Sequence, residues 1–241
     1  KAIMRTNTTA IAAMAVKQGD ADCMVAGTFG QYLWHLGYID QILSKRMPAV
    51  QSGEMPLDDW QTPTGALSLM ILENGPLFVA DTQVHHDPTP EQVALSVIGM
   101  ARHIRRFGQT PKISIFSHSI FGNIDTESGR KMRAAMAILD EMDLDFQYDG
   151  EMNVEAALDP VMRKKFLSDV RFEGRANGLV FSNTDSAGAV RNILKTTVNG
   201  LEVGPILMGM GNQAHIVTPS ITVRGLLNIA AIAGVPVEHY G

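Results

Sequence analysis

The sequence holds one cysteine, Cys23, among its 241 residues, so no disulfide can form within the chain and a reducing, cytoplasmic setting is expected. Charge is scarce as well: 19% of residues are Asp, Glu, Lys or Arg, and the formal net charge is −5. No block of Lys or Arg is present to neutralise a row of phosphates, which argues against nucleic acid as a partner. No run approaches the roughly 18 consecutive apolar residues that a membrane-spanning helix needs, so no membrane partner is expected. The opening residues, Lys1-Ala-Ile-Met-Arg-Thr-Asn7, do not have the form of a signal peptide. What is abundant is apolar material, 45% of the chain, enough for one large core or two modest ones. An initiator Met is missing and a helix pattern begins almost at once, so a piece of something longer is expected.

Asn7 or Thr8 can cap a helix carrying Ile11, Ala12, Met14 and Ala15, with Gly19 as its stop. A strand follows at 22–26, then a less regular, aromatic and Pro-containing stretch from Phe29 to Pro63. Leu67 to Leu72 and Leu77 to Ala80 read as a hairpin through the turn signal Glu73-Asn-Gly-Pro76. Thr89 and Pro90 start a helix with Val93, Ala94, Val97, Ile98, Ala101 and Ile104 at helical spacing, ended by Gly108. From there one theme repeats: a short apolar strand, small polar residues, a helix. The strands are Ile113 to Phe116, Leu144 to Tyr148, Leu179 to Phe181, and then Ile206 to Met208 with His215 to Val217. The helices carry Met132, Ala135, Met136 and Leu139; Val154 to Leu158; Val190, Ile193, Leu194 and Val198, closed by Asn199-Gly200; and Leu226, Leu227 and Ala230 after a cap at Ser220 or Thr222. Strands apolar on both faces and alternating with helices imply an α/β fold, a mostly parallel sheet with helices on both faces, with the hairpin as an antiparallel edge. No period of about 20 to 50 residues recurs, which excludes a solenoid.

In such a sheet ligands collect beyond the carboxyl ends of strands. Three polar loops stand there: Gly27-Thr-Phe-Gly30, Ser117-His-Ser-Ile-Phe-Gly122 and Ser182-Asn-Thr-Asp-Ser186. Each taken singly also reads as caps and turn formers. Gly209-Met-Gly-Asn-Gln-Ala214 has the spacing of a dinucleotide loop, but a short strand follows it rather than a helix, and no acidic residue stands about 20 positions on. His85 and His86, adjacent on an extended segment, point to opposite faces and do not share one metal ion. His118 between Ser117 and Ser119 lacks the setting of an elbow serine. No metal site and no catalytic set emerges. Arg102, Arg105, Arg106, Arg130, Lys131 and Arg133 read as solvated helix charge, and the methionines as packing.

Asn7-Thr-Thr9, Gly19-Asp-Ala-Asp22, Phe78-Val-Ala-Asp81, Phe107-Gly108, Ser117-His-Ser119, Asp149-Gly-Glu-Met152 and Gly204-Pro-Ile-Leu207, in this order, resemble the phosphate acetyl/butyryltransferase domain. The nearest version is the one fused as the C-terminal part of NADP-dependent malic enzymes. The resemblance covers nearly the whole chain and implies a phosphotransacetylase-like domain of two lobes with the ligand cleft between them. It places residues 18–207 in the second lobe, with 1–17 and 208–241 as remnants of a first lobe that lacks its N-terminal part. Active transacetylases of the family carry a Ser-Arg pair after Gly-Pro-Ile-Leu and an Asp soon afterwards. A gapless match puts Thr218, Pro219 and Gly225 there, and Thr196 where the family has an arginine on the preceding helix. The charges and the base that acetyl transfer needs are therefore missing. The resemblance thus implies a non-catalytic regulatory domain that binds acetyl-CoA as an allosteric inhibitor. Phe29, Ser117, Ser119, Phe121, Asn183, Asp185 and Thr218 are its expected cleft residues. It implies homo-oligomerisation and, as intramolecular partner, a malic-enzyme domain holding NADP and a divalent metal. Two alternatives are an active phosphate acyltransferase and a purely structural oligomerisation domain.

Overall fold

The computed structural model describes residues 6–45, 61–167, 170–197 and 201–235. Along the chain run α1 (Thr8–Gln18), β1 (Met24–Gly27), α2 (Tyr32–Leu43), β2 (Gln61–Leu72), β3 (Gly75–Ala80), α3 (Pro90–Arg106), β4 (Lys112–Phe116), α4 (Glu127–Asp140), β5 (Gln147–Met152), α5 (Val154–Leu158), α6 (Pro160–Phe166), β6 (Gly178–Val180), α7 (Thr184–Thr197), β7 (Leu201–Met210), β8 (Ala214–Val217) and α8 (Val223–Gly234). Capping chemistry sets the starts. Asn7 accepts from Ala10 N at 2.9 Å to open α1, and Thr89 and Gln92 satisfy each other's backbone amides at the head of α3. Of the two expected caps for α8, Thr222 is the one used, accepting from Gly225 N at 3.0 Å.

Six strands form one sheet in the order β5-β4-β6-β3-β2-β7. β5, β4, β6 and β3 are parallel neighbours, while β2 is antiparallel to both β3 and β7. The fold is thus the expected α/β layer structure, with a wider antiparallel side: the hairpin β2–β3 lies inside the sheet and β7 is the edge. The pleat explains the two-sided core. Phe78 and Ala80 pack with α3 and α4 residues such as Val97 and Met136, while Leu77 and Val79 pack on the opposite face with Ala156, Ala157 and Ala187. β1 and β8 form a separate two-stranded parallel sheet. Ala13 of α1, Met24, Leu36 and Ile39 of α2, and Ile216 bury a third core against Leu207 and Met210 of β7. β1 and α2 thus pack with α1 and β8.

Several local expectations shift. The stretch expected to be irregular contains α2, whose buried His35, Leu36, Ile39 and Leu43 follow a helical period. Its aromatic residues, poor helix formers by propensity, hid it; residues 46–60 lie outside the described ones. In α1 the buried face is Thr9, Ala10, Ala13 and Val16, and Ile11 is exposed. The strand expected at 144–148 starts at Gln147 and runs to Met152. It passes through two buried carboxylates, Asp149 and Glu151, residues that a search for apolar runs rejects. Helix α6 was not expected; Asp159 caps it through Val161 N and Met162 N. The expected stop of α7 at Asn199-Gly200 is outside the described residues.

The turn after β7 is knotted to α3 and to the end of α8. Asn212 Nδ2 donates to the carbonyls of Ile232, Ala233 and Val235, which turns its Oδ1 toward Arg106 Nη1 at 2.7 Å and His215 Nε2 at 2.8 Å. An amide oxygen only accepts, so Nε2 of His215 carries the proton and its buried Nδ1 is bare. Burial, with Arg106 beside it, pushes His215 down to about 4, and burial with Arg106, His215 and Arg102 nearby pushes His103 to about 3. Both fall below the ordinary 6.5. The unfolded chain therefore binds these protons first. The stabilisation is complete above pH 6.5 and is lost as the pH falls from there toward 4 for His215 and 3 for His103. Urea unfolding across that range should show His215→Gln losing on the order of 3 kcal/mol less than the unaltered chain between neutral and acid pH. Identical pH profiles would count against the assignment.

Candidate functional site

The three polar loops follow strands of two sheets: Gly27–Gly30 follows β1 in the two-stranded sheet, while Ser117–Gly122 and Ser182–Ser186 follow the neighbouring strands β4 and β6 of the six-stranded one. After β4, Ser117 is fully buried and its Oγ accepts from Ser119 N at 3.1 Å. Ser119 Oγ in turn donates to Asn123 Oδ1 at 3.3 Å. Phe121 stands at φ 47° and its N–H donates to the Glu151 carbonyl. Glu151 fastens this loop from beneath: its Oε1 accepts from Gly122 N at 2.9 Å and from Arg133 Nη1 at 2.7 Å, while Oε2 is buried with no partner. Both serines are thus engaged in holding their own loop. After β6, Asn183 Oδ1 accepts from Ser186 N at 2.8 Å, the capping role, and Asp185 lies in the first turn of α7. The two histidines before α3 part company: His85 goes to Asp81, itself holding four backbone amides, and His86 to Thr184 Oγ1 at 2.9 Å. Among the described residues no group of three or more His, Cys, Asp or Glu is placed to hold a metal ion.

Phe29 and Thr218 belong to the other sheet. Gly27 is paired with Val217, and its φ of 110° and the 2.0 Å from a built Cβ to the Val217 carbonyl oxygen leave room for glycine alone. The next residues carry Phe29, 86% exposed, whose carbonyl accepts from His35 Nε2 at 2.6 Å. Because a carbonyl cannot donate, Nε2 holds the proton and Nδ1, at 2.7 Å, takes one from Thr9 Oγ1. The loop is tied to α1 and α2 by this one buried ring.

The described cleft opens between the two sheets, at the segment that began as a sequence motif. It measures about 310 Å³, and its walls include Lys195 at the end of α7, Glu202 and Gly204 in β7, and Thr218, Ser220, Thr222 and Gly225 where β8 turns into α8. Thr218 Oγ1 and Ser220 Oγ share a hydrogen bond of 3.0 Å, and the first turn of the 12-residue α8 points its amides this way. Of the seven expected cleft residues, Thr218 is the one that lines it. β7 stands three strands from β6 and four from β4, roughly 14 and 19 Å at about 4.8 Å per strand, so Asn183, Asp185, Ser117, Ser119 and Phe121 are elsewhere on the sheet. Lys195 and Glu202 were missed. Lys195 is the residue before Thr196, and attention to that vacated arginine position was the available signal. Glu202 had none, because its partners lie far off in sequence.

The electrostatics of the cleft are set by Glu202. Burial raises its pKa, but hydrogen bonds and charge from Arg191 and Lys195 outweigh that, and the carboxyl is held below its ordinary value. It is an ion-paired carboxylate and not a proton acceptor. Thr196 Oγ1 donates to Asn192 O at 2.8 Å within its own helix. At Gly225 a Cβ would stand 2.9 Å from Ile221 Cγ1, so an acidic side chain enters only if Ile221 moves. The cleft can hold an anion with one ammonium, hydroxyls and a helix end, and among its described lining residues none is free to take a proton from a thiol.

Residues 1–234 match the family model of phosphate acetyl/butaryl transferase. The chain is 42% identical over 239 residues to an NAD-dependent malic enzyme of Rhizobium meliloti and 36% identical over 233 residues to an NADP-dependent malic enzyme of Salmonella typhimurium. These matches cover 99% and 96% of the chain, which spans 30% and 29% of the length of those relatives. A phosphotransacetylase from Streptococcus pyogenes has the same fold, with a TM-score of 0.80 and 25% identity over 93% of this chain and 65% of that one.

Glu151→Ala should lower stability by about 1–3 kcal/mol, since it strands Gly122 N and Arg133. Hydrogen exchange at the Gly122 amide should quicken with it. An unchanged melting temperature would show that the loop is held by something else.

Proposed function

The chain belongs to the phosphate acetyl/butaryl transferase family, and on that footing we propose that it is a non-catalytic domain of a malic enzyme that binds acetyl-CoA and reports its level. The supporting observation is the cleft. Its walls keep the closing motif's hydroxyls and helix end, with Lys195 as the cation, yet among the described residues they offer no free base. Transfer of an acetyl group requires a group that takes the thiol proton as the sulfur attacks. Glu202 is committed to two cations, and Gly225 has no side chain. Binding without turnover is what such walls support.

In this reading the redox chemistry, oxidative decarboxylation of malate to pyruvate with NAD or NADP and a divalent metal, belongs to a malic-enzyme part of the protein. Acetyl-CoA inhibits that part by binding one quaternary arrangement more tightly than the other, because a ligand with equal affinity for both shifts nothing. The domain also contributes to a homo-oligomer. Leu33 and Trp34 on α2 and Val223 and Leu227 on α8 are exposed apolar side chains suited to such contacts. The half-buried, unpaired Cys23 suits a cytoplasmic setting.

Calorimetric titration with acetyl-CoA should give saturable binding, while an assay of acetyl exchange between CoA and phosphate should show no turnover. Exchange at about 1 s⁻¹ or faster, an ordinary enzymatic rate, would establish a working transacylase instead. Absence of binding at millimolar acetyl-CoA would remove the sensor reading.

A further inference from the structure

One wall of the cleft carries more positive charge than its single carboxylate needs. Glu202 Oε1 accepts from Arg191 Nε and from Ser68 Oγ at 3.0 Å; Oε2 accepts from Arg191 Nη2 and Lys195 Nζ, both at 2.9 Å. Side-chain exposure rises outward, from 7% at Glu202 to 12% at Arg191 and 34% at Lys195. Arg191 alone grips both carboxylate oxygens and balances the charge, the bidentate geometry in which a guanidinium pairs best. The second cation is surplus. Its ammonium has three N–H groups, and one of them is committed to Glu202.

We propose that Lys195, anchored by Glu202, is the side chain that recognises a phosphate group entering this cleft, supplying from one position earlier the charge that Thr196 lacks. The inference rests on the reading of the cleft as an acyl-CoA site and adds the group that discriminates. Were Arg191 absent, Lys195 and Glu202 would cancel, and an anion would meet a neutral wall. With Arg191 present the wall carries a net charge of about +1, and the surplus sits on its most exposed member. The same cleft is lined by the hydroxyls of Thr218, Ser220 and Thr222; Thr218 and Ser220 share one hydrogen bond, so one of that pair, with Thr222, can donate to a phosphate oxygen. Drawing the ammonium toward a ligand leaves Glu202 with Arg191 and Ser68, so no buried charge is stranded and the penalty for breaking a buried pair does not arise. A neutral thioester would gain nothing from this wall. The phosphate can be part of acyl-CoA or free inorganic phosphate, and the two sources are separable by experiment.

The test titrates inorganic phosphate and acetyl-CoA separately into the full chain, its Lys195→Met variant and its Lys195→Arg variant. Methionine keeps the length and removes the charge; arginine keeps the charge. Lys195→Met should weaken both titrants about tenfold or more, and Lys195→Arg should recover most of the loss, as for a charge-assisted hydrogen bond. Unaltered affinity in Lys195→Met overturns the inference and leaves the acyl-CoA reading standing. Phosphate binding that depends on Lys195, with no binding of acetyl-CoA, upholds the inference and overturns that reading. No binding of either at about 10 mM overturns both. Should Lys195→Met fail to fold, the salt dependence of the unaltered chain decides. Affinity for phosphate falling as ionic strength rises is expected, and a flat dependence overturns the proposal.

Discussion

The antiparallel pairing of β7 with β2 is the constraint on which the cleft side of this protein depends. Ile206 opposite Leu67 and Leu201 opposite Ile71 set where the first residues of β7 lie, and with them the wall that carries Glu202. Ser68, on β2, reaches Glu202 from across that pairing. At its other end the same strand turns through Asn212 into β8, so this turn joins the six-stranded sheet to the two-stranded one. Arg106 and Asn212 tie that turn to the carbonyls ending α8. A slip of one residue in this register would reverse every side chain of β7 and put Glu202 on the wrong face. The cleft exists because the register does not slip.

The chemistry of the cleft follows from which groups are free and which are engaged. A buried carboxylate is costly unless paired, and Glu202 is paired twice over. The pairing that stabilises it also removes it as a base. The serines after β4 are likewise engaged in their own loop, Ser117 Oγ accepting from Ser119 N and Ser119 Oγ donating to Asn123 Oδ1.

Much of the framework was legible in the residues. Caps at Asn7, Thr89 and Thr222, and the two-faced strand Leu77 to Ala80, act over a few positions and need no knowledge of the partner. The misses share a cause. Helix α2 was hidden because Tyr32, Trp34 and Tyr38 are weak helix formers, a preference that the burial of His35, Leu36, Ile39 and Leu43 overrides. β5 was displaced because Asp149 and Glu151 are buried, which becomes tolerable only with Arg171 N and Gly150 N on one and Arg133 and Gly122 N on the other. Apart from the adjacent Gly150 N, those donors come from elsewhere in the chain. Lying after a strand end locates a residue along its own strand, but strand order locates it across the sheet.

Read alone, the sequence determined the α/β class and the family. These are properties of local pattern and of residue identity. The tertiary structure alone decided that Thr218 faces Lys195 across a cleft while Ser117 and Asn183 lie strands away, and that Glu202 is silenced by Arg191. Ser68 meets Glu202 from 134 positions off and Arg106 meets Val235 from 129. Contacts of that span are set by the order in which strands assemble, and no short-range preference encodes them.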